Sequence, residues 1–194
     1  MISIIKYNAG NIRSVAFALE RLGVPFCITD NHEEISKADK VIFPGVGEAN
    51  TTMRYLKDKK LDVLIKGLKQ PVLGICLGMQ LLCSYSEEND TSCLGIFNDR
   101  VKRFRPNNHE KVPHMGWNSI TLTQSWIDSA VDEKFVYFVH SYFVPVNPHT
   151  SAITEYIEPF SAAMQKDNFY AVQFHPEKSA AVGEKIIQSF LNIR

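Results

Sequence analysis

Strand-like and helix-like patterns alternate through the first half of the chain, and this alternation is the strongest constraint on its fold. Short apolar runs typical of strands occur at residues 2–6, 26–29, 40–43 and 72–76. Between them, apolar residues recur at helical spacing, and Asn11 precedes the first helical stretch as its expected N-cap. Because strand–helix–strand units form right-handed crossovers, the pattern predicts an α/β fold with an open, largely parallel sheet and helices on both faces.

The second half has a different pattern, with further strands predicted at residues 119–123, 135–139, 151–155, 161–165 and 169–174. Turn residues separate these runs, so some antiparallel pairing is expected and the sheet should be mixed. A helical stripe after Ser179 predicts a closing helix on the sheet. No repeat, low-complexity tract or linker divides the 194 residues, which are therefore predicted to form one domain, residues 1–194.

Composition argues against several classes of function. The formal net charge is zero, which disfavours binding to nucleic acid through charge. The basic cluster of Arg100, Lys102, Arg103 and Arg105 is interpreted as a solvated strand or loop. No apolar run approaches the ~18 residues of a membrane span. The first residues lack the features of a signal peptide, so we expect a cytoplasmic protein with no membrane contact.

Metal and nucleotide sites are not indicated by the sequence. The four cysteines show no Cys-x-x-Cys spacing, so free thiols in a reducing compartment are expected rather than a zinc site or a disulfide. Gly45 and Gly47 form only a Gly-x-Gly pair, and the chain has no phosphate-loop motif. We therefore expect no metal and no cofactor such as ATP or a nicotinamide.

The best candidate for a reactive group is Cys76, which lies between Gly74 and Gly78 at the end of the fourth predicted strand. Glycines on both sides suit the sharp strand-to-helix turn that exposes a nucleophile, and the N–H of the next residue, Leu77, can then stabilise an oxyanion. The alternative is a small buried cysteine without chemistry, which is the commoner state of this residue type.

A base and its orienting group are offered by His175-Pro176-Glu177, which follows the last predicted strand. The residue before a proline is pushed towards extended geometry. Residues two apart in an extended segment share a side, so the Glu177 carboxylate can reach the His175 ring. With Cys76 they form a candidate triad for nucleophilic catalysis. Taken alone, the triplet is more commonly a simple turn.

The glycines of residues 44–47, Pro-Gly-Val-Gly, offer further N–H donors for an oxyanion, or else merely end a strand.

Several stretches of the chain resemble the class I (triad-type) glutamine amidotransferases, which have a flavodoxin-like fold. The nucleophile motif of that family is matched by residues 74–80, Gly-Ile-Cys-Leu-Gly-Met-Gln, and its His-Glu motif by residues 172–177, Val-Gln-Phe-His-Pro-Glu. Other stretches are similar to one branch of the family, the glutaminase subunits of imidazole glycerol phosphate synthases in histidine biosynthesis. These are residues 7–15, 44–47, 113–118, 137–142 and 178–179, so the resemblance runs through essentially the whole chain.

The resemblance implies both the reaction and the site. Cys76 would attack the side-chain amide of glutamine, and His175 would pass a proton to the leaving ammonia and then activate water. Glu177 would hold the His175 ring. The oxyanion would be stabilised by backbone N–H groups of Leu77 and of Val46 or Gly47. Positions that bind glutamine are matched by Gln80, Glu88, Ser141 and Tyr142. Of these, Glu88 rests only on its spacing from Cys76, and its alternative is a solvated loop carboxylate.

The resemblance also implies a partner. Glutaminases of this branch form a heterodimer with a (β/α)8-barrel cyclase subunit, which uses the ammonia to make imidazole glycerol phosphate and an aminoimidazole carboxamide ribotide. Positions at that interface are matched by Trp117, Asn118, Tyr137 and Lys178, with ordinary packing as the alternative. His114 and His140 are interpreted as structural histidines. Glu48 departs from the residues usual after the Pro-Gly-Val-Gly segment.

Three other functions stay open on the sequence. Another class I amidotransferase would supply ammonia to anthranilate, aminodeoxychorismate or guanylate synthesis, but Val46, Met79 and the stretch at residues 113–118 argue against it. The scaffold could also serve as a catalytically silent binding protein, which the intact Cys76, His175 and Glu177 argue against. A cysteine peptidase would turn over peptides without a partner.

Overall fold

The computed structural model describes residues 1–7, 11–106, 110–123 and 126–193. Residues 8–10, which belong to one of the stretches that carry the resemblance, lie outside the described residues. Within the described ranges, no helix combines the length and the apolar character that a membrane crossing requires.

The chain is built from short strands and helices. The strands are β1 (Ile2–Ile5), β2 (Phe26–Thr29), β3 (Lys40–Gly45), β4 (Val72–Cys76), β5 (Tyr85–Ser86), β6 (Thr91–Ser92), β7 (Arg100–Arg103), β8 (His114–Ser119), β9 (Thr121–Leu122), β10 (Phe135–His140), β11 (Tyr142–Phe143), β12 (Thr150–Thr154), β13 (Phe160–Lys166) and β14 (Phe169–Val172). The helices are α1 (Ile12–Arg21), α2 (His32–Lys37), α3 (Ala49–Asp58), α4 (Leu61–Gly67), α5 (Leu77–Leu82) and α6 (Ala180–Leu191). Short 3₁₀ helices span Ser129–Val131 and Pro176–Lys178.

The main sheet contains eight strands in the order β2-β1-β3-β4-β14-β13-β12-β9. The strands from β2 to β14 pair in parallel, whereas β13, β12 and β9 are added antiparallel. The order of the parallel strands is that of flavodoxin-like folds, in which the first strand lies inside the second. The predicted mixed and largely parallel sheet is confirmed. Sites in such folds lie beyond the carboxyl ends of the strands.

Two hydrophobic clusters cover the two faces of this sheet. Strands β1, β4 and β14 are buried along their whole length, as expected for strands packed on both faces. Helix residues in one cluster include Val15, Leu19, Ile187 and Phe190, from α1 and α6. Those in the other cluster include Met53, Leu56, Leu61 and Leu81, from α3, α4 and α5. The predicted helices on both faces are therefore confirmed, as is the closing helix.

Two smaller sheets extend the second half of the chain. Strands β8 and β10 form an antiparallel pair, and β11, β7, β5 and β6 form a four-stranded sheet. Strands of two residues are too short to show apolar alternation, so β5, β6 and β11 give no pattern in the sequence. On β7 the side chains of Arg100, Lys102 and Arg103 are exposed around buried Val101, as predicted for a solvated strand.

The strand predicted at residues 119–123 is wrong in its extent. Strand β8 ends at Ser119 and pairs with β10, whereas β9 covers only Thr121–Leu122 and pairs with β12 of the main sheet. Ile120 is buried between them and forms backbone hydrogen bonds with Glu133 and Lys134. The chain passes here from one sheet to another, which an apolar pattern along the chain does not reveal.

His114 and His140 are buried cross-strand partners at one end of the β8–β10 pair. Nδ1 of His140 lies 2.8 Å from the carbonyl oxygen of Tyr142, so this nitrogen carries the proton. Nε2 of His140 then accepts a hydrogen bond from Nδ1 of His114 at 3.0 Å. Burial lowers the pKa of His114 to about 4 and that of His140 to about 3, so both rings are neutral at pH 7.

We expect mild acid to destabilise the fold through this pair. In the unfolded chain each ring has its ordinary pKa of 6.5, so the unfolded state binds protons before the folded state does. Stability is full above pH 6.5 and is lost as the pH falls towards 4 and 3. Between about pH 7 and about pH 5, the pair should lower the free energy of unfolding in urea by on the order of 4 kcal/mol, about half from each ring.

Substitution of both histidines separates their effect on the unfolding free energy from the titration of other groups. The double variant His114→Gln, His140→Gln should show a flatter pH dependence of the unfolding free energy. An unchanged slope in the double variant would contradict the assignment.

Candidate active site

Cys76 occupies a strained turn between β4 and α5. Its φ of 54° and ψ of −109° lie in a region that residues with a side chain rarely adopt. Gly78 permits the turn, because a Cβ at that position would lie 2.0 Å from the carbonyl oxygen of Phe43 on β3. The glycine-flanked sequence thus forms the predicted strand-to-helix elbow, and Cys76 lines a cavity there.

His175 is brought to the same edge because β14 pairs in parallel with β4. Val172, the last residue of β14, is in register with the residue before Cys76, so the chain leaves the sheet beside the nucleophile. His175 is extended, with φ of −102° and ψ of 94°, and a 3₁₀ turn follows it. Gly183 on α6 packs closely on this turn, since a Cβ there would lie 1.8 Å from the carbonyl oxygen of Pro176.

The side chains of His175 and Glu177 form a buried pair. Nδ1 of His175 lies 2.8 Å from Oε1 of Glu177, and both side chains are fully buried. Burial alone would lower the pKa of His175, but its interactions with Cys76 and Glu177 outweigh burial and raise that pKa well above its ordinary value. The predicted contact is present, although Glu177 reaches the ring from a 3₁₀ turn and not from an extended segment.

The other nitrogen of the His175 ring, Nε2, has no hydrogen-bond partner in the described part of the chain. Among the described residues, neither Nε2 of His175 nor Oε2 of Glu177 has a hydrogen-bond partner of acceptable geometry. Because Nδ1 is held by Glu177, Nε2 is the ring atom that can exchange a proton with Cys76 or with a bound molecule.

Asn11 adds a contact that pattern analysis did not predict. It stands at the N-cap position of α1, as expected, but its φ is 75° and its side chain makes no capping hydrogen bond to the described part of the helix. Instead, Nδ2 donates a hydrogen bond to Oε1 of Glu177 and lies 3.3 Å from Nδ1 of His175. Since both of these nitrogens are donors, the carboxylate is the partner of Asn11. Asn11 binds Glu177 and does not cap α1 with its side chain, so it is a candidate for a residue that positions the triad.

A cavity of about 330 Å³ opens at Cys76. Its lining includes the predicted oxyanion and glutamine-binding residues, namely Val46, Gly47, Leu77, Gln80, Glu88, Ser141 and Tyr142. The register pairing of Gly45 with Cys76 places the 44–47 segment beside the nucleophile. The hydroxyl of Tyr7 donates a hydrogen bond to the carbonyl oxygen of Pro44 and ties this segment to the end of β1. The cavity has the size and the mixed polar lining of a small-molecule site.

Glu88 is held in place and is not freely solvated. Its side chain accepts a hydrogen bond from the backbone N–H of Ala49, the first residue of α3, at 2.8 Å. Its own backbone N–H donates to Oγ of Ser86 at 3.1 Å, and its carbonyl oxygen accepts from Oγ1 of Thr91 at 2.6 Å. Burial raises the pKa of Glu88, against the opposing effect of the Ala49 hydrogen bond. The carboxylate is thus fixed on the cavity wall.

Glu48, the departure noted in the sequence, caps α3. It accepts hydrogen bonds from the backbone N–H groups of Asn50 and Thr51 at 2.8 and 2.7 Å. It also accepts one from the side-chain amide of Asn89 at 2.8 Å. Burial alone would raise the pKa of Glu48, but these hydrogen bonds lower it to about 2. The cap therefore joins the 44–47 segment to the loop that carries Glu88.

Large apolar side chains are exposed on one face of the β8–β10 pair. Trp117 is 54% exposed and packs edge-on against its cross-strand partner Tyr137, with ring centroids 6.1 Å apart. Met115 and Phe135 extend the face and are 63% and 57% exposed. We call Met115, Trp117, Phe135 and Tyr137 the hairpin face. Nζ of Lys178 lies 6.0 Å from the centre of the Tyr137 ring.

Asn118 does not belong to the hairpin face. Side chains alternate along a strand, and Asn118 therefore points to the side of β8 opposite to Trp117. Its Nδ2 donates a hydrogen bond to the carbonyl oxygen of Glu155 at 2.9 Å and lies 3.4 Å from Nε2 of His114. The structure brings Trp117, Tyr137 and Lys178 together and places Asn118 apart from them.

Known proteins resemble this chain along its whole length. Residues 3–193 match the family described as glutamine amidotransferase class-I. The chain is 61% identical over 194 residues to imidazole glycerol phosphate synthase subunit HisH of Bacteroides fragilis (strain YCH46), with 99% of each chain covered. It is 60% identical over 194 residues to the subunit of the same name from Bacteroides thetaiotaomicron, again with 99% of each chain covered.

Solved structures share the fold at much lower identity. A putative GMP synthase subunit from Thermoplasma acidophilum has a TM-score of 0.72 and 20% identity, with 98% of this chain and 92% of that chain covered. A structure described as glutamine amidotransferase has a TM-score of 0.75 and 16% identity, with 98% of this chain and 97% of that chain covered. The fold is thus shared, while family membership rests on the sequence. The chain belongs to the class I glutamine amidotransferase family and, within it, to the HisH subunits of imidazole glycerol phosphate synthase.

Proposed function

We propose that this protein hydrolyses glutamine to glutamate and ammonia through a thioester on Cys76, as the glutamine amidotransferase subunit of imidazole glycerol phosphate synthase in histidine biosynthesis. One observation supports the chemistry above all others. Cys76 lines the cavity from a strained elbow, and the buried His175–Glu177 pair lies at the same edge of the sheet. The identity to HisH subunits supports the pathway.

The first half of the proposed reaction forms the thioester. Nε2 of His175 takes the proton of the Cys76 thiol. The sulfur then attacks the side-chain amide carbon of glutamine, and the negative charge on the amide oxygen is stabilised by the N–H of Leu77 and a backbone N–H of Val46 or Gly47. His175 then delivers a proton from Nε2 to the amide nitrogen. The carbon–nitrogen bond breaks, ammonia leaves and the glutamyl group stays on the sulfur.

The second half releases glutamate. Nε2 of His175, now unprotonated, takes a proton from a water molecule, and the resulting hydroxide adds to the thioester carbon. The carbon–sulfur bond breaks, so glutamate leaves and Cys76 is restored. Glu177 holds Nδ1 of His175 throughout and stabilises the positive ring that forms in each half.

Glutamine recognition is assigned to the polar lining of the cavity. The fixed carboxylate of Glu88 suits the α-ammonium group of an amino acid, because one of its oxygens is bound by Ala49 and the other is available. Gln80, Ser141 and Tyr142 line the same cavity and are proposed to bind the remaining backbone atoms and the side-chain amide.

The proposed partner is a (β/α)8-barrel cyclase subunit that receives the ammonia. The hairpin face supports this assignment, because exposed Trp117 and Phe135 offer the large aromatic anchors that are enriched in protein interfaces. Lys178 links this face to the triad, since it directly follows Glu177 in the 3₁₀ turn. Contact at the hairpin face would therefore act on the segment that carries His175.

Replacing the nucleophile gives the first test. We expect Cys76→Ala to lower glutamate release by about a thousandfold or more, because no thioester can form. The rate is measured with the barrel cyclase and its ribonucleotide ligand present. Cys27→Ala, on the edge strand β2 and away from β4, should retain full activity. Glutamate release by Cys76→Ala at the wild-type rate would refute the assignment.

Asn11→Gly tests the contact with Glu177. Glycine accepts the left-handed backbone of this position, so the substitution removes the side-chain contact without adding strain. We expect kcat for glutamate release to fall by about tenfold with KM nearly unchanged, because a hydrogen bond to a charged group is lost. Asn31→Gly removes a true side-chain cap from α2 and should change stability without changing kcat. Equal kcat in wild type and Asn11→Gly would show that Asn11 does not position the triad.

Trp117→Ala tests the hairpin face. We expect the Kd for the cyclase subunit, measured by calorimetry, to rise by about thirtyfold, as for a central aromatic anchor. The unfolding free energy should change little, because Trp117 is largely exposed. Val63→Ala removes an exposed apolar side chain from α4 and should leave Kd unchanged. Binding of Trp117→Ala at wild-type affinity would count against this interface.

A further inference from the structure

Gln173 is a fully buried polar residue that touches the nucleophile. It follows β14 and precedes the triad histidine by two positions. Its side-chain Nε2 lies 3.7 Å from Sγ of Cys76, within the range of a hydrogen bond to sulfur. The mechanism above gives it no part. A fully buried polar side chain needs an explanation, and its contact with the reacting sulfur suggests a role in the reaction.

The direction of the Gln173 amide is determined by its neighbours. The carbonyl oxygen of Tyr142 can only accept, so the Gln80 atom that lies 2.9 Å from it must be the amide nitrogen. That nitrogen also lies 2.9 Å from the terminal oxygen position of Gln173, which must therefore be an acceptor. The nitrogen of Gln173 is left to face the sulfur of Cys76.

The surrounding contacts hold both side-chain amides in these orientations, so that the oxygen and nitrogen of either amide do not exchange places. The Tyr142 carbonyl oxygen is itself held by Nδ1 of His140 at 2.8 Å, which keeps Gln80 in its orientation. The backbone N–H of Gln173 donates to the carbonyl oxygen of Ala162 at 2.8 Å. Both glutamine side chains are buried, so water does not compete for these hydrogen bonds.

A donor in this position favours one form of the sulfur. An amide N–H can donate to a thiolate but cannot accept the proton of a thiol. The carbonyl oxygen of Val139 lies 4.0 Å from Sγ, which is the limit for a hydrogen bond donated by the thiol. The site therefore offers a better partner to the anionic sulfur than to the neutral one.

We propose that Gln173 is a further catalytic residue, whose side-chain amide donates a hydrogen bond to the Cys76 sulfur and stabilises its thiolate. The thiolate is the attacking form when the thioester is made and the leaving form when the thioester is hydrolysed, so the same hydrogen bond assists both halves of the reaction. This role in glutamine hydrolysis rests on the proposed function. The effect on the sulfur is a property of the chain itself and needs no substrate.

Alkylation of Cys76 by iodoacetamide at pH 7 tests the proposal on the full chain alone. The rate at Cys76 is followed by peptide mass spectrometry, which separates it from the other three cysteines. We expect Gln173→Met to slow this alkylation by about tenfold, because the apolar side chain fills similar space but donates nothing. Gln173→Glu should slow it at least as much, since it keeps the acceptor for Gln80 and turns an oxygen towards the sulfur.

Gln70→Met is the matched control. The amide of Gln70 donates to the carbonyl oxygen of Ile35, away from the site, so its loss should leave Cys76 alkylation within twofold of the wild-type rate. Alkylation of Cys76 within twofold of wild type in folded Gln173→Met, or in Gln173→Glu should the former fail to fold, would overturn the proposal.

Failure of this proposal can be distinguished from failure of the proposed function. Slow alkylation in the Gln173 variants would support the thiolate role even if the wild-type chain released no glutamate with the cyclase. Conversely, a wild-type chain that hydrolyses glutamine while the Gln173 variants alkylate at full rate would uphold the proposed function and refute this inference.

Discussion

The site depends on the parallel pairing of β4 with both β3 and β14. Parallel strands end at the same edge of a sheet, so the segments that follow these three strands meet there. They carry the 44–47 segment, Cys76 and His175. The register of β4 is strongly specified because Gly74 lies where α5 leaves no room for a side chain: a Cβ there would be 2.8 Å from Leu82 and 3.0 Å from the backbone of Gly78.

Around this edge, several residues adopt arrangements that would be unfavourable elsewhere. Cys76 has a positive φ, and Asn11 directs its side chain to Glu177 and not to the start of α1. Within the described part of the chain, one polar atom of His175 is buried without a partner. Such arrangements persist only where the surrounding packing over-determines them. Gly78 and Gly183 supply that packing, because they let α5 and α6 approach the neighbouring backbone within distances that exclude a Cβ.

The sequence was sufficient to predict the strands of the main sheet, helices on both of its faces and the contact between His175 and Glu177. Apolar periodicity is a local property, and it revealed the strands of the main sheet and helices on both of its faces. The glycines around Cys76 and the His175-Pro176-Glu177 triplet are likewise local signals. The apolar pattern predicted neither helix α2, nor most of β8, nor the two-residue strands β5, β6 and β11, and it joined two separate strands across Ile120. It also gave Asn11 only a capping role, since the carboxylate that binds its side chain is far away in the chain.

The amino-acid sequence by itself determined which residues have the chemistry for this site and which strands carry them. Only the tertiary structure decided which hydrogen bonds those residues make. The amide nitrogen of Gln173 faces Cys76 because Gln80, itself held by Tyr142, binds the amide oxygen. Asn118 binds the carbonyl oxygen of Glu155 because the fold brings that residue beside β8. The physical reason is that a polar group selects its partner by distance and direction, and distant residues acquire both only when the sheet is assembled.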